Sequence, residues 1–317
     1  MKRIISILMV VALIVLTFAA CGGSGMTMGT GGTAGTYYGY GGILGNHIKE
    51  TVGLTVNVVS TDGSKANILG IAAGNFQLGT VQSDVMAYAW EGSRTFEEDG
   101  KIDSFRVIGG LYAEAVQLVT MDPAIKSVAD LKGKRVSIGA AGSGVYFNAI
   151  DVLAAAGMTE KDIVPQYQSF ADSADALKDK KIDAAFIVAG APTPAIQELC
   201  TSADAYLVPI DGDIADKLME SSPYYTTYKI PAKTYDGQEE EVSTVTVKAT
   251  LIVSASASEE DVYNITKAIF DNADAITSKH AKGAELSLEN ATDGMTAPFH
   301  AGAAKYFAEK GITVEVK

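Results

Sequence analysis

Two glycine-rich loops in equivalent surroundings constrain this chain more than any other feature. Gly29-Thr-Gly-Gly-Thr-Ala-Gly-Thr-Tyr-Tyr38 follows a short apolar stretch, residues 26–28, and precedes a helical pattern in which Tyr37, Tyr40, Leu44 and Ile48 recur at three- and four-residue steps. Gly139-Ala-Ala-Gly-Ser-Gly-Val-Tyr-Phe147 follows Val136-Ser-Ile138 and precedes a helical pattern over 146–156 that Gly157 ends. Gly29 and Gly32 share the spacing of Gly139 and Gly142, and a hydroxyl residue, Thr33 or Ser143, follows the second glycine each time. Residues 26–84 and 136–194 then read alike: strand, glycine loop, helix, strand, helix, strand, small polar loop. A strand that returns through a helix pairs in parallel with its predecessor. Parallel sheets gather ligands at the C-terminal ends of their strands. Two such halves facing each other place four loops around one cleft.

The remaining elements follow from periodicity. The first half predicts a helix over 37–50, a strand over 52–59 with Val52, Leu54, Val56 and Val58 on one face, a helix over 64–73 capped by Gly74, and a strand over 76–81 that delivers Gln82-Ser-Asp84. The second half predicts an extended segment over 164–170, a helix over 173–180, and a strand over 182–188 that ends at Ala189-Gly-Ala-Pro-Thr-Pro194. Residues 105–112 and 115–119 read as two strands with a hinge between them, and 242–253 as a long strand carrying a second hinge. Two lobes result, 26–115 with 254–317, and 116–253. Residues 224–231 read as an aromatic loop. Ser258 opens a helix with Val262, Ile265, Ile269 and Phe270 on its apolar side, and a last helix spans 303–310. The tail is expected to pack on the first lobe.

Composition bounds the function. The 317 residues, 47% hydrophobic and 20% charged, can bury a large core. A net charge of −13, in a sequence with nothing that resembles the basic stripe phosphate neutralisation needs, argues against a nucleic-acid partner. Residues 1–20 predict a cleaved export signal: Lys2 and Arg3 precede an apolar run broken only by Ser6 and Thr17, too short for a lasting membrane span. Phe18-Ala-Ala-Cys21 looks like a lipobox, which would make Cys21 the lipidated first residue, with 21–25 as a flexible tether. Loss of Lys2 and Arg3 takes the charge from −13 to −15. Cys200 is then alone, which excludes an intrachain disulfide and suits a small buried apolar residue.

A small-residue loop between strand and helix can hold an anion through its N–H groups. Gly29-x-Gly31-x-x-Ala34 fits a loose dinucleotide fingerprint, but Ser60-Thr61 stand where that fingerprint needs an acid, and there is no phosphate-loop lysine. The three histidines, His47, His280 and His300, lack metal-ligand spacing, and Ser143 has no nucleophile elbow. Asp84 is either a general base or an organiser of loop hydrogen bonds. None of the four arginines, at 3, 94, 106 and 135, lies in a glycine loop, so an anion would rely on N–H groups and hydroxyls. Tyr37, Tyr38, Tyr88 and Tyr146 are either an aromatic wall or core. What remains is a non-enzymatic, cofactor-free binding cleft for a small polar molecule.

The motifs match a known family. G-T-G-G-T-A-G-T-Y-Y at 29–38, V-Q-S-D at 81–84, K-S-V-A-D-L-K-G-K-R-V-S-I-G-A-A-G-S-G at 126–144 and V-A-G-A-P-T-P-A-I at 188–196 resemble the TAXI family, the TRAP-associated extracytoplasmic solute receptors. The likeness continues through T-Y-D-G-Q at 234–238, Y-N-I-T-K-A-I-F at 263–270 and P-F-H-A-G-A at 298–303. The resemblance implies an α/β fold of the periplasmic-binding-protein-like type II, in which two lobes joined by hinge strands close on a solute. It also implies an exported, lipid-anchored, monomeric receptor that hands a glutamate, glutamine or related carboxylate to a TRAP-type membrane permease without ATP. It implies contacts from Thr30, Gly31, Gly32, Thr33, Thr36 and Tyr37, from Gln82, Ser83 and Asp84, from Ser143, Gly144, Val145 and Tyr146, and from Gly190, Ala191, Pro192 and Thr193. Relatives commonly carry Gly-Ser-Gly-Thr-Arg where Val145 and Tyr146 follow Gly144 here. That exchange removes a hydroxyl and a cation, and points to a less charged or more aromatic-friendly solute. A sensor module that presents its ligand to a membrane signalling protein would show the same features, and an enzyme using Asp84 as base is a third possibility.

Overall fold

The computed structural model describes residues 25–316. The expected export signal and the lipidation at Cys21 lie outside the described residues. Strand β1 (Met26–Gly29) pairs in parallel with β2 (Val56–Val59) on one side and β3 (Leu78–Gln82) on the other, with helices α1 (Thr36–Val52) and α2 (Ser64–Ala72) as the crossovers. The β2 strand is shorter than the alternation of valines predicts, because Gly53 takes a left-handed φ of 75° and its N–H closes on Lys49 O. Val52 is thereby the last residue of the helix. Helix α3 (Ser83–Glu91) starts directly from β3, so the expected polar loop at 82–84 is instead a strand end and a first helical turn.

Strand β4 (Phe105–Thr120) is one 16-residue strand where two were expected. Its backbone pairing continues through Glu114, which faces Val247, so the charged residue does not interrupt it. The second half of the chain repeats the parallel pattern with β5 (Arg135–Ser137), β6 (Val164–Gln166) and β7 (Ala184–Ala189), connected by α4 (Val145–Ala155) and α5 (Phe170–Lys178). Helix α6 (Pro194–Ser202) follows β7, then β8 (Tyr206–Val208), which pairs with β4, and α7 (Gly212–Ser221). The expected aromatic loop contains β9 (Thr226–Ile230), paired antiparallel with β10 (Val242–Ser254); its threonines and tyrosine suit a half-exposed strand. Helices α8 (Glu259–Phe270), α9 (Ala273–Thr277), α10 (Leu288–Thr292) and α11 (Ala301–Glu309) complete the chain.

The strands form one sheet in the order β2-β1-β3-β10-β4-β7-β5-β6. The long antiparallel pair β4 and β10 joins the two parallel sets, β10 pairing with β3 and β4 with β7. One core gathers Met28, Leu44, Leu78, Phe105 and Leu251 with Val262, Phe299 and Phe307, so α8 and α11 pack with the first strands. Ala249, Leu251, Ile252 and Val253 of β10 belong to that core. Around β7 successive residues alternate between two further cores, Phe186 and Val188 on one face and Ala185 and Ile187 on the other. That period of two is the pleat of a strand buried on both faces.

Candidate functional site

A cavity of 360 Å³ lies where the two parallel sets face each other. Four helices begin on it: α1 at Gly35-Thr36, α2 at Gly63-Ser64, α4 at Gly144-Val145 and α5 at Ser169-Phe170. Gly35, Gly63 and Gly144 offer no side chain to cap the N–H groups of their first turns, whereas Ser169 Oγ accepts from Asp172 N at 3.2 Å. Helix N-termini carry partial positive charge, and uncapped ones present donors to whatever fills the space. The strand–loop–helix order produces this convergence, since each parallel strand delivers its loop to the same edge of the sheet.

The walls touch around the cavity. Thr36 Oγ1 donates to Gly190 O at 2.7 Å, Ala195 N to Ala34 O at 3.1 Å and Lys65 N to Gly142 O at 3.2 Å. Gln82 Nε2 donates to Asn148 Oδ1 at 2.8 Å, and Asn148 Nδ2 donates to Asp84 Oδ2 at 2.9 Å and Tyr225 OH at 2.8 Å. Arg94 bridges to Asp151 at 2.7 Å. A Cβ at Gly190 would lie 3.0 Å from Thr36 and Tyr112 side chains, so the contact depends on a small residue there.

Of the residues singled out from the sequence, Gly31, Gly32, Thr33, Thr36, Tyr37, Gln82, Ser143, Gly144 and Val145 line this cavity. The others are placed elsewhere by their hydrogen bonds. Thr30 Oγ1 donates to Val59 O at 2.7 Å, and Ser83 Oγ accepts from Lys248 N at 3.2 Å beside a separate cavity. Asp84 is fully buried against Asn148. Tyr146 turns its hydroxyl to Glu160 at 3.0 Å. Gly190 O accepts the Thr36 and Thr193 hydroxyls, Ala191 and Pro192 share a cis peptide, and Thr193 is held by Tyr235 and Gln117. This last loop braces the wall, while Val188 and Ala189 of β7 reach the cavity.

Several lining residues were not anticipated: the run Ser60-Thr-Asp-Gly-Ser64, Gln168 to Ala171, and Glu114. Glu114 is the most consequential. It is 2% exposed, and Tyr37 OH donates to its Oε2 at 2.7 Å. Burial pushes its carboxyl up to about 8, against the opposing pull of the Tyr37 hydrogen bond and the Lys282 charge. Burial, reinforced by Glu114, holds the Tyr37 hydroxyl well above its ordinary range. Asp84 is pushed up to about 6, mainly by burial, with hydrogen bonds from Val85 N–H and Asn148 acting against it. Gln82 Oε1 and Asp84 Oδ1 are buried without a hydrogen-bond partner among the described residues. Among the described residues the lining contains no lysine, arginine or histidine; its acidic side chains are Asp62 and Glu114. Cys200 is half-buried and burial pushes its thiol up to about 11, which leaves it protonated and unreactive at neutral pH.

The fold is similar to those of several solved structures. The alkanesulfonate-binding protein SsuA from Xanthomonas axonopodis pv. citri, bound to MOPS, aligns at 17% identity over 90% of this chain and 83% of its own, with a TM-score of 0.51. A protein of Bordetella bronchiseptica RB50 aligns at 18% identity over 90% of this chain and 89% of its own, with a TM-score of 0.53. A putative L-cystine ABC transporter protein from Listeria monocytogenes aligns at 17% over 83% and 97%, with a TM-score of 0.52. At these identities the likeness establishes the fold, the mixed α/β type II periplasmic-binding-protein fold. With that fold in place, the sequence model of the NMT1-like family matches residues 28–311, and the chain belongs to that family.

Proposed function

We propose that this protein is an extracytoplasmic solute receptor of the TAXI type, which captures a small polar or anionic solute in the 360 Å³ cavity and delivers it to a TRAP-type permease. The observation that carries the proposal is the convergence of four helix N-termini, three of them uncapped by side chains, on one cavity walled from both halves of the chain. Such a cavity holds an anionic group without a guanidinium. The two lobes would close by bending along β4 and β10, with the crossing near 113–116 and 247–249, where the first core gives way to the second. The TAXI assignment is supported by the motif run at 126–144 and its companions. Export and anchoring through Cys21 are supported by the sequence of residues 1–21. No helix among the described residues is long and apolar enough to cross a membrane, which suits a receptor working beside a separate permease.

Native mass spectrometry of protein purified without refolding, followed by thermal-shift measurements with amino acids and carboxylates, tests the proposal. A bound solute in excess stabilises the folded state by ~3–4 kcal/mol at 100 to 1,000 times Kd. Retention of no small molecule, together with no shift from any anion, amino acid or polar metabolite, refutes it. Uptake into vesicles driven by an ion gradient rather than by ATP would assign the permease to the TRAP class; ATP dependence would remove that assignment.

A further inference from the structure

Glu114 differs from everything else in the cavity wall. Its neighbours on β4 pair with β10 and β7, and its side chain enters the cavity from the strand that both halves share. The sole hydrogen bond to its carboxylate among the described residues comes from Tyr37 of α1. The titratable groups that act on it are Tyr37, Asp84 of α3, Tyr112 of β4 and Lys282 of the 281–285 turn. Lys282 is already engaged, its Nζ donating to Glu285 Oε1 at 2.6 Å and to Tyr228 OH at 3.3 Å. The cavity therefore offers a solute two different partners: N-terminal N–H groups that favour an anion, and a buried carboxyl, held up near 8, beside which no cation lines the cavity among the described residues. An anion alone satisfies the first and leaves the carboxyl protonated, whereas a solute that also carries a cation makes ionisation of the carboxyl favourable.

We propose that Glu114 is a specificity-determining residue that receives a protonated amine of the solute, so that the cleft selects molecules carrying both an anionic group and an ammonium over anions of equal size without one. The proposal deepens the receptor function above and rests on it. The ammonium donates to the Glu114 carboxylate beside the Tyr37 hydroxyl, and the helix N-termini hold the anion. Because burial keeps the carboxyl up near 8, an arriving ammonium lowers it, and Glu114 releases its proton to solvent on binding at neutral pH.

Calorimetric titration in buffers of different ionisation enthalpy tests this with matched pairs: L-glutamate against 2-oxoglutarate, L-glutamine against its 2-oxo analogue, and L-alanine against pyruvate. At least one amine-bearing member should bind roughly thirtyfold or more tightly than its partner, with release of up to one proton per solute at pH 7. Glu114→Gln keeps the volume and an acceptor for Tyr37, and should abolish both the preference and the proton release. Equal binding of the amine-free partner, proton uptake in the wild-type protein, or a preference that survives in Glu114→Gln overturns the role of Glu114 while leaving the receptor function standing. Binding of none of the six compounds to the wild-type protein overturns this inference as well; the receptor function then stands or falls on the native mass spectrum. The wild-type proton count and pair preference need no variant, so a poorly folding Glu114→Gln leaves the test intact.

Discussion

Replacing Asp84 by Asn isolates what one buried carboxylate costs the folded chain. Asp84 sits in the first turn of α3 with none of its surface exposed, and burial lifts its carboxyl from 3.8 to about 6. In the unfolded chain it titrates near 3.9, so the folded protein holds that proton more tightly. The stability linked to the protonated carboxyl is fully present below about pH 4 and is lost as the pH rises through about 6. A difference of roughly two pKa units, at 1.36 kcal/mol each, puts the loss at about 3 kcal/mol. Asparagine still accepts from Asn148 and cannot ionise. Urea unfolding between about pH 3.5 and 8 should therefore show the variant gaining on the wild type through this window, by about 3 kcal/mol at pH 7. Removal of the Asp84 charge also relieves part of the upward push on Glu114, which adds a smaller gain near pH 8. Curves that stay parallel across the whole range would refute burial as the cause of the shift.

Asn148→Ala removes hydrogen bonds to Gln82, Asp84 and Tyr225 and should cost about 3 kcal/mol, at about 1 kcal/mol for each bond; a calorimetric loss well under 1 kcal/mol would show that the network contributes nothing. Gly144→Ala places a Cβ 1.4 Å from Gln82 Oε1 and 2.8 Å from Val85 Cγ2, across the contact between the two walls. It should weaken solute binding about tenfold or more by wedging the walls apart, and an unchanged Kd would contradict that. At Gly302 a Cβ would lie 2.3 Å from Glu259 O and 2.7 Å from Tyr263 N, so Gly302→Ala should force α11 off α8 and lower stability by about 2–3 kcal/mol, measured by urea unfolding.

The local elements were legible in the sequence because their causes are local. Gly74 and Gly157 take positive φ just beyond the ends of α2 and α4, as their positions after apolar helical stretches imply. The duplicated strand–loop–helix order was enough to imply parallel pairing in each half, since a crossover helix permits little else. Where periodicity is weak, the sequence misleads. Residues 83–91 are buried on nearly all sides, so α3 shows no polar stripe, and the valine alternation over 52–59 conceals the helix end at Gly53.

The glycine loops at 31–37 and 143–145 could be placed on the cleft from the sequence alone, because loops at parallel strand ends share one edge of the sheet. The chemistry of the cleft could not. Tyr146 lies one residue past the start of α4, and the helical turn swings it to Glu160 and away from the cavity. Glu114 reads in sequence as a break between two strands. Its meaning comes from Tyr37, 77 residues away, and from a β4 whose pairing with β10 continues through this position. Sequence determined that there would be two α/β halves with paired glycine loops, because backbone conformation is decided within a few residues. Only the tertiary structure decided that a buried carboxyl shares one cavity with four helix N-termini, because burial and electrostatic environment are set by residues far apart in the chain.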